Sequence, residues 1–157
     1  MSEVLASLKK KGVKGYSKCL AYITLYAEGT ANTWTKTNIV SISVTNPSVN
    51  VPIVMYDENV FHVDNGDIVV DKAISKAYIS GRANASRNSS GARVYSGIRV
   101  KKNGTLITGA SVMGTSSAIM PYFTRIETSL AVGDVLSLET NHTDTPSVPL
   151  IVSIVTD

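Results

Sequence analysis

Ile98-Arg99-Val100-Lys101-Lys102-Asn103-Gly104-Thr105-Leu106-Ile107 and Phe123-Thr124-Arg125-Ile126-Glu127-Thr128-Ser129-Leu130-Ala131-Val132-Gly133-Asp134-Val135-Leu136-Ser137-Leu138-Glu139-Thr140 are the stretches whose reading decides the fold. The first predicts two strands folded over Asn103-Gly104, because a type I′ turn needs positive φ at both central residues, which Asn and Gly tolerate best. The second predicts two strands folded over Val132-Gly133-Asp134, with Gly133 supplying positive φ and Asp134 bonding local backbone groups. Asp64-Asn65-Gly66-Asp67 repeats the first signal.

Working outward, the pattern is β almost throughout. Cys19–Tyr26 mixes apolar, aromatic and β-branched residues, and Val40, Ile42 and Val44 alternate with polar residues within Asn38–Thr45. Further strands are expected at Ile53–Tyr56, Val60–Val63, Asp67–Val70, Ala77–Ala85, Arg93–Lys101, Thr105–Val112, Tyr122–Ala131, Val135–Thr140 and Leu150–Val155. Many short strands at this spacing predict an all-β sandwich or barrel. Asn46-Pro47, Asn50-Val51-Pro52 and Arg87–Gly91 read as loops, and helix is expected only at Glu3–Lys10, where Val4, Leu5 and Leu8 would share a face.

A chain of 157 residues suits one domain with one core. No run approaches the ~20 apolar residues of a membrane helix, and the start lacks the apolar core of a secretory signal, so membrane insertion is not expected. Cys19 is the single cysteine, which leaves no internal disulfide and no thiol cluster for zinc. Charge is unevenly placed: Lys9, Lys10, Lys11, Lys14 and Lys18 oppose only Glu3 in residues 1–18, leaving ten Lys and Arg against eleven Asp and Glu beyond. A nucleic-acid surface would concentrate its cations on the folded body, so nucleic acid is not an expected partner. Residues 1–18 read as a basic arm and 19–157 as the folded domain. The arm is either a solvated terminus or a docking element carrying Val4, Leu5, Leu8, Lys9, Lys10, Lys11 and Lys14.

Candidate chemistry is sparse. His62, in an apolar strand, and His142, in a polar loop, lack metal-ligand spacing, no G-x-S-x-G elbow occurs, and Cys19 has no identifiable base. Asp57-Glu58 and Asp64, Asp67 and Asp71 offer oxygen ligands, but their spacing is not that of an EF-hand, and a solvated acidic rim is the better reading. No catalytic residue, metal or cofactor is therefore expected. Trp34, the sole tryptophan, lies in the polar stretch Thr30–Asn38, where it would stack on a sugar, anchor an interface or plug the end of the barrel. With Arg87 and Asn88 it marks candidate ligand-facing loops.

The order of Asp67-Ile68-Val69-Val70, Ala77-Tyr78-Ile79-Ser80-Gly81, Ile98–Thr105 and Leu130–Leu138 resembles the jelly-roll family that includes tumour necrosis factor and the globular heads of complement. It is more closely similar to the versions of that domain in phage virion proteins. The resemblance spans residues 38–156 and departs at Ser75-Lys76-Ala77, where the family commonly has Pro-Gly or Ala-Gly. It implies a single jelly-roll β-sandwich that forms a compact homotrimer, with Tyr78, Tyr122 and Phe123 as candidate axis contacts or, equally, aromatics of one protomer. Three functions follow from it. The first is a virion protein assembled in the host cytoplasm, a capsid decoration or head-fibre trimer attached to a capsid or other virion protein through the arm. The second is a tail-fibre or baseplate module recognising a cell-surface glycan. The third is a secreted or surface-displayed trimeric binding protein.

Overall fold

The computed structural model describes residues 17–28, 32–39, 53–83, 85–86, 94–114, 118–143 and 147–157. The expected docking-arm residues Val4, Leu5, Leu8, Lys9, Lys10, Lys11 and Lys14, the expected ligand-facing residues Arg87 and Asn88, and most of the expected strand Asn38–Thr45 lie outside them.

Thirteen strands are present among the described residues: β1 (Lys18–Glu28), β2 (Thr35–Thr37), β3 (Ile53–Tyr56), β4 (Phe61–Asp64), β5 (Asp67–Val70), β6 (Ile74–Ala83), β7 (Ala85–Ser86), β8 (Val94–Lys102), β9 (Thr105–Gly114), β10 (Ala118–Ile119), β11 (Tyr122–Leu130), β12 (Val135–His142) and β13 (Ser147–Thr156). One sheet, here sheet A, runs β11-β6-β13-β1-β3. Sheet B runs β4-β5-β12-β8-β9, with β2 also on β12, and β10 and β7 form a small separate ribbon. All pairings are antiparallel. The chain starts in sheet A at β1, visits B at β2, returns to A at β3, runs through β4 and β5 of B, crosses to A at β6, returns to B for β8 and β9, and then alternates through β11, β12 and β13. That alternation, with the first and last strands paired inside sheet A, is the jelly roll.

Period-two burial builds the core. Ala21, Ile23 and Leu25 of β1, Ala77, Ile79 and Ala83 of β6, and Leu150, Val152 and Ile154 of β13 face Ile68 and Val70 of β5, Ile98 and Val100 of β8, and Leu136 and Leu138 of β12. Phe61 and Ile39 are fully buried beside them. Fully burying each such side chain contributes roughly 1.5–3 kcal/mol before the entropy of ordering is charged against it.

The turns carry the expected backbone. Asn65 and Gly66 have φ of 48° and 78°, Asn103 and Gly104 have 51° and 78°, and Gly133 has 87°. The last turn differs from expectation in its role. It is not a hairpin, because β11 belongs to sheet A and β12 to sheet B. Both flanking strands bury one face in the same core, so the chain between them must step across the sandwich. Asp134 closes this corner by accepting from the Ala131 N–H at 2.8 Å, and the Gly133 N–H docks it on the Val70 carbonyl at 2.8 Å. Asn103, at the tip of the β8–β9 hairpin, donates from its amide to Asp134 Oδ1 at 2.8 Å and accepts from the Val135 N–H at 2.9 Å. The bond from Ala131, joined by that from Asn103, holds the Asp134 carboxyl below its ordinary range.

Candidate functional site

The two outer faces of the sandwich differ in chemistry, and register explains how. On sheet A, alternation aims Tyr22 and Thr24 of β1 away from the core, and pairing extends them into two adjacent rows. One row is Met55–Tyr22–Ser153–Ser80, and the next is Ile53–Thr24–Ile151–Arg82–Tyr122. Tyr22, Ile53, Met55 and Tyr122 are exposed, Met55 at 63% and Tyr122 at 66%, and Met120 beside β11 is exposed as well. The small Ser80 and Ser153 leave a hollow of about 430 Å³ between the aromatic and aliphatic side chains, bordered by Tyr22, Arg82, Met120, Tyr122 and Ile151. Below these rows the face turns polar: Arg125 stacks over Tyr78 at 4.3 Å and reaches Asp157 at 3.5 Å. Arg125 sits in a bulge of β11 at φ 48°, its N–H donating to Ser80 Oγ at 2.9 Å.

The three axis candidates therefore divide. Tyr122 lies open on the apolar rows. Tyr78 is half-buried on the same face but engaged by Arg125. Phe123 is 7% exposed and its ring occupies the space where a Gly81 side chain would be, so it packs within its own protomer. Tyr22, Met55 and Met120 complete the apolar face. Their strands or chain positions were legible in the sequence, but their shared face depends on register between distant strands.

On sheet B the outer face is charged and internally paired. Glu139 of β12 is bonded by Arg99 through Nε and by Lys101 at 2.9 Å, and Lys36 of β2 meets Asp67 at 2.7 Å. Burial alone would raise the Glu139 pKa, but the Lys101 and Arg99 hydrogen bonds and charges outweigh it and lower the pKa. Trp34 is half-buried, with the Arg99 guanidinium 4.2 Å from its ring centroid. Its ring tip rests on Gly97, where any Cβ would come within 2.7 Å of it. The stretch Thr30–Asn38 is thus not all loop: Thr35–Thr37 pairs with Thr140, Glu139 and Leu138 and delivers Trp34 onto this face.

The histidines play different parts from each other. His62 is exposed and bonded to Asp71 at 2.8 Å. His142 is not in a polar loop; it ends β12, is 6% exposed and faces Ser96 Oγ at 3.2 Å across Nδ1, while Nε2 has no hydrogen-bond partner among the described residues. Burial lowers its pKa to about 4. Asp57 bonds Lys18 and its pKa is lowered chiefly by that contact. Among the described residues no three His, Cys, Asp or Glu side chains form a metal-binding group, and no helix is long and apolar enough to cross a membrane.

No family model matches the chain, and no curated protein matches it. Among solved structures, the chain is similar to murine APRIL in a crystal structure at pH 5.0, with TM-score 0.48 and 9% identity over 88% of this chain and 99% of that one. Murine APRIL at pH 8.0 gives 0.44 and 9% over 87% and 99%. Scores this low carry no weight on fold or function, and the jelly-roll assignment rests on sheet order and register.

Proposed function

We propose that this chain is the protomer of a homotrimeric virion protein, a capsid decoration or head-fibre component. Its jelly roll assembles through the outer face of sheet A, and its residues 1–18 join it to the particle. The observation that carries the assembly is the set of exposed apolar side chains, Met55, Tyr22, Ile53, Tyr122 and Met120, that register gathers on the outer face of sheet A, since clustered exposed apolar surface marks interaction sites. A second, separate patch supports a cyclic arrangement: Val112 and Met113 are exposed near the end of β9, an edge strand of sheet B. Two different patches on one protomer favour a heterologous contact, edge into face, which closes into a ring. Three copies per ring, and a virion as the setting, come from the resemblance to phage jelly rolls and from the lysines of the arm.

Sedimentation of the purified chain tests the assembly, with a trimer expected at micromolar concentration. A stable monomer sinks the reading. Removing residues 1–15 is expected to preserve the trimer and abolish attachment to particles; truncated protein that still decorates them removes the arm from the proposal.

A further inference from the structure

We propose that the outer face of sheet B carries a binding site for one acidic sugar residue, in the groove bordered by Trp34, Arg99, Leu106, Gly109 and Ser111. The groove holds about 200 Å³, below the roughly 300–1,000 Å³ of pockets for drug-sized ligands, so it suits a single ring rather than an extended molecule.

Arg99 is the recognition group. Its Nε is committed to Glu139 and its guanidinium plane lies against Trp34, so the side chain is held in place before any ligand arrives. Among the described residues, none accepts a hydrogen bond from its terminal amino groups. Lys101 shares the same carboxylate, so two cations face one anion and the cluster retains a positive charge. Planar, pre-oriented guanidinium suits the bidentate grip of a ligand carboxylate.

The floor and walls suit the rest of a sugar ring. Gly109 pairs with Arg99 across β8 and β9, and a Cβ there would come 2.8 Å from Arg99 Cβ. Glycine keeps the Arg99 stem low and the groove open beside it. Gly97 does the same for Trp34. Leu106 and the Trp34 ring offer apolar contact for the carbon-bound face of a pyranose, and the Ser111 hydroxyl offers a partner for a ring hydroxyl. The site lies on the opposite outer face from the apolar side chains of sheet A and adjoins Val112 and Met113 of β9, so it is tested on the full chain in its assembled state.

Trp34, as the sole tryptophan, is its own reporter. The full chain is titrated with N-acetylneuraminic acid and glucuronic acid, with glucose and N-acetylglucosamine as neutral probes and a glutamate-rich peptide as a further arm. Binding is read by fluorescence and by saturation-transfer NMR. Both acidic sugars are expected to saturate in the range of about 1–10 mM, with neutral sugars at least about tenfold weaker. Arg99→Gln is expected to weaken the acidic sugars by about tenfold or more, and Ser111→Leu, at an exposed position that keeps Arg99, to block the groove with the same fold stability. Equal binding of neutral and acidic sugars, no saturable response in either readout, or full binding by both variants overturns the proposal. Tighter binding of the acidic peptide than of either sugar also overturns it and reassigns the groove to protein.

Discussion

The outer faces of sheets A and B are made by the same backbone device, strands alternating in and out, and yet they offer opposite surfaces. Sheet A gathers exposed Tyr22, Met55, Ile53, Met120 and Tyr122 around Arg82, with the ion pairs Arg125–Asp157 and Lys76–Glu127 set further along the face. Sheet B presents Lys36, Asp67, Glu139, Arg99 and Lys101, each engaged by another member of the set. Apolar area gains free energy only when something covers it, whereas a paired charge network on an open face is already satisfied in water. The contrast teaches that the charge pairs of sheet B are satisfied within a single chain, whereas the exposed apolar side chains of sheet A are covered by nothing in it.

The largest expected effect breaks the first half of that contrast. Met55→Glu with Tyr122→Glu places two charges in the apolar rows, and the oligomer is expected to fall to single chains in sedimentation, with the circular dichroism of the fold retained. The same pair of substitutions on a chain that stays assembled would show that the face is not the interface. A glutamate at Thr105, exposed at the opposite end of β9 from Val112 and Met113, serves as the control and is expected to leave assembly intact.

Acid gives the next largest effect and separates the interior from both faces. The pKa of His142 is depressed in the folded state to about 4, against 6.5 for an unburied imidazole. The unfolded chain therefore binds the extra proton between those values, and stability supplied by neutral His142 is present above pH 6.5 and lost as pH falls towards 4. The loss amounts to at most about 3 kcal/mol. Urea unfolding at stepped pH measures it, and His142→Gln is expected to flatten the slope in that window.

Smaller effects sharpen the description of sheet B. Glu139→Gln removes the anion shared by Arg99 and Lys101 and is expected to cost about 1–2 kcal/mol in denaturant unfolding, as hydrogen bonds to charged groups do. It also loosens Arg99 from Trp34, which a red shift in tryptophan emission would record. Asn103→Ala deletes the two side-chain bonds from the hairpin tip to the β11–β12 corner and is expected to cost about 1 kcal/mol. A cost indistinguishable from zero would mean that the corner stands without its neighbour.

What could be read from the chain in advance was local. Asn65-Gly66 and Asn103-Gly104 encode their own turns, so two hairpins and their flanking strands were legible, and Ile53–Tyr56 and Asp67–Val70 fall where their composition places them. Gly133 was legible as a positive-φ residue but not as a corner, because a turn does not state whether its two strands share a sheet. Thr35–Thr37 was missed because three polar residues have no period to detect; β12 defines that strand through pairing. Arg99 was overlooked as part of a site for a related reason. Gly97 and Gly109 look like weak points in two strands until register sets them under Trp34 and beside Arg99. His142 looked polar by its neighbours, and burial became visible only when β12 carried it against Ser96.

The clasp between Asn103 and the 131–134 corner has a kinetic consequence. The corner joins a strand of one sheet to a strand of the other, and Asn103 ties it to a hairpin that can form by itself. Local hairpins close in microseconds, while docking of the two sheets waits for distant segments to meet. The Val135 amide, which donates to Asn103 across 32 residues, accordingly reports when β12 docks beside that hairpin within sheet B. In pulse-labelled exchange it is expected to gain protection at that step, later than the paired amides within β8 and β9.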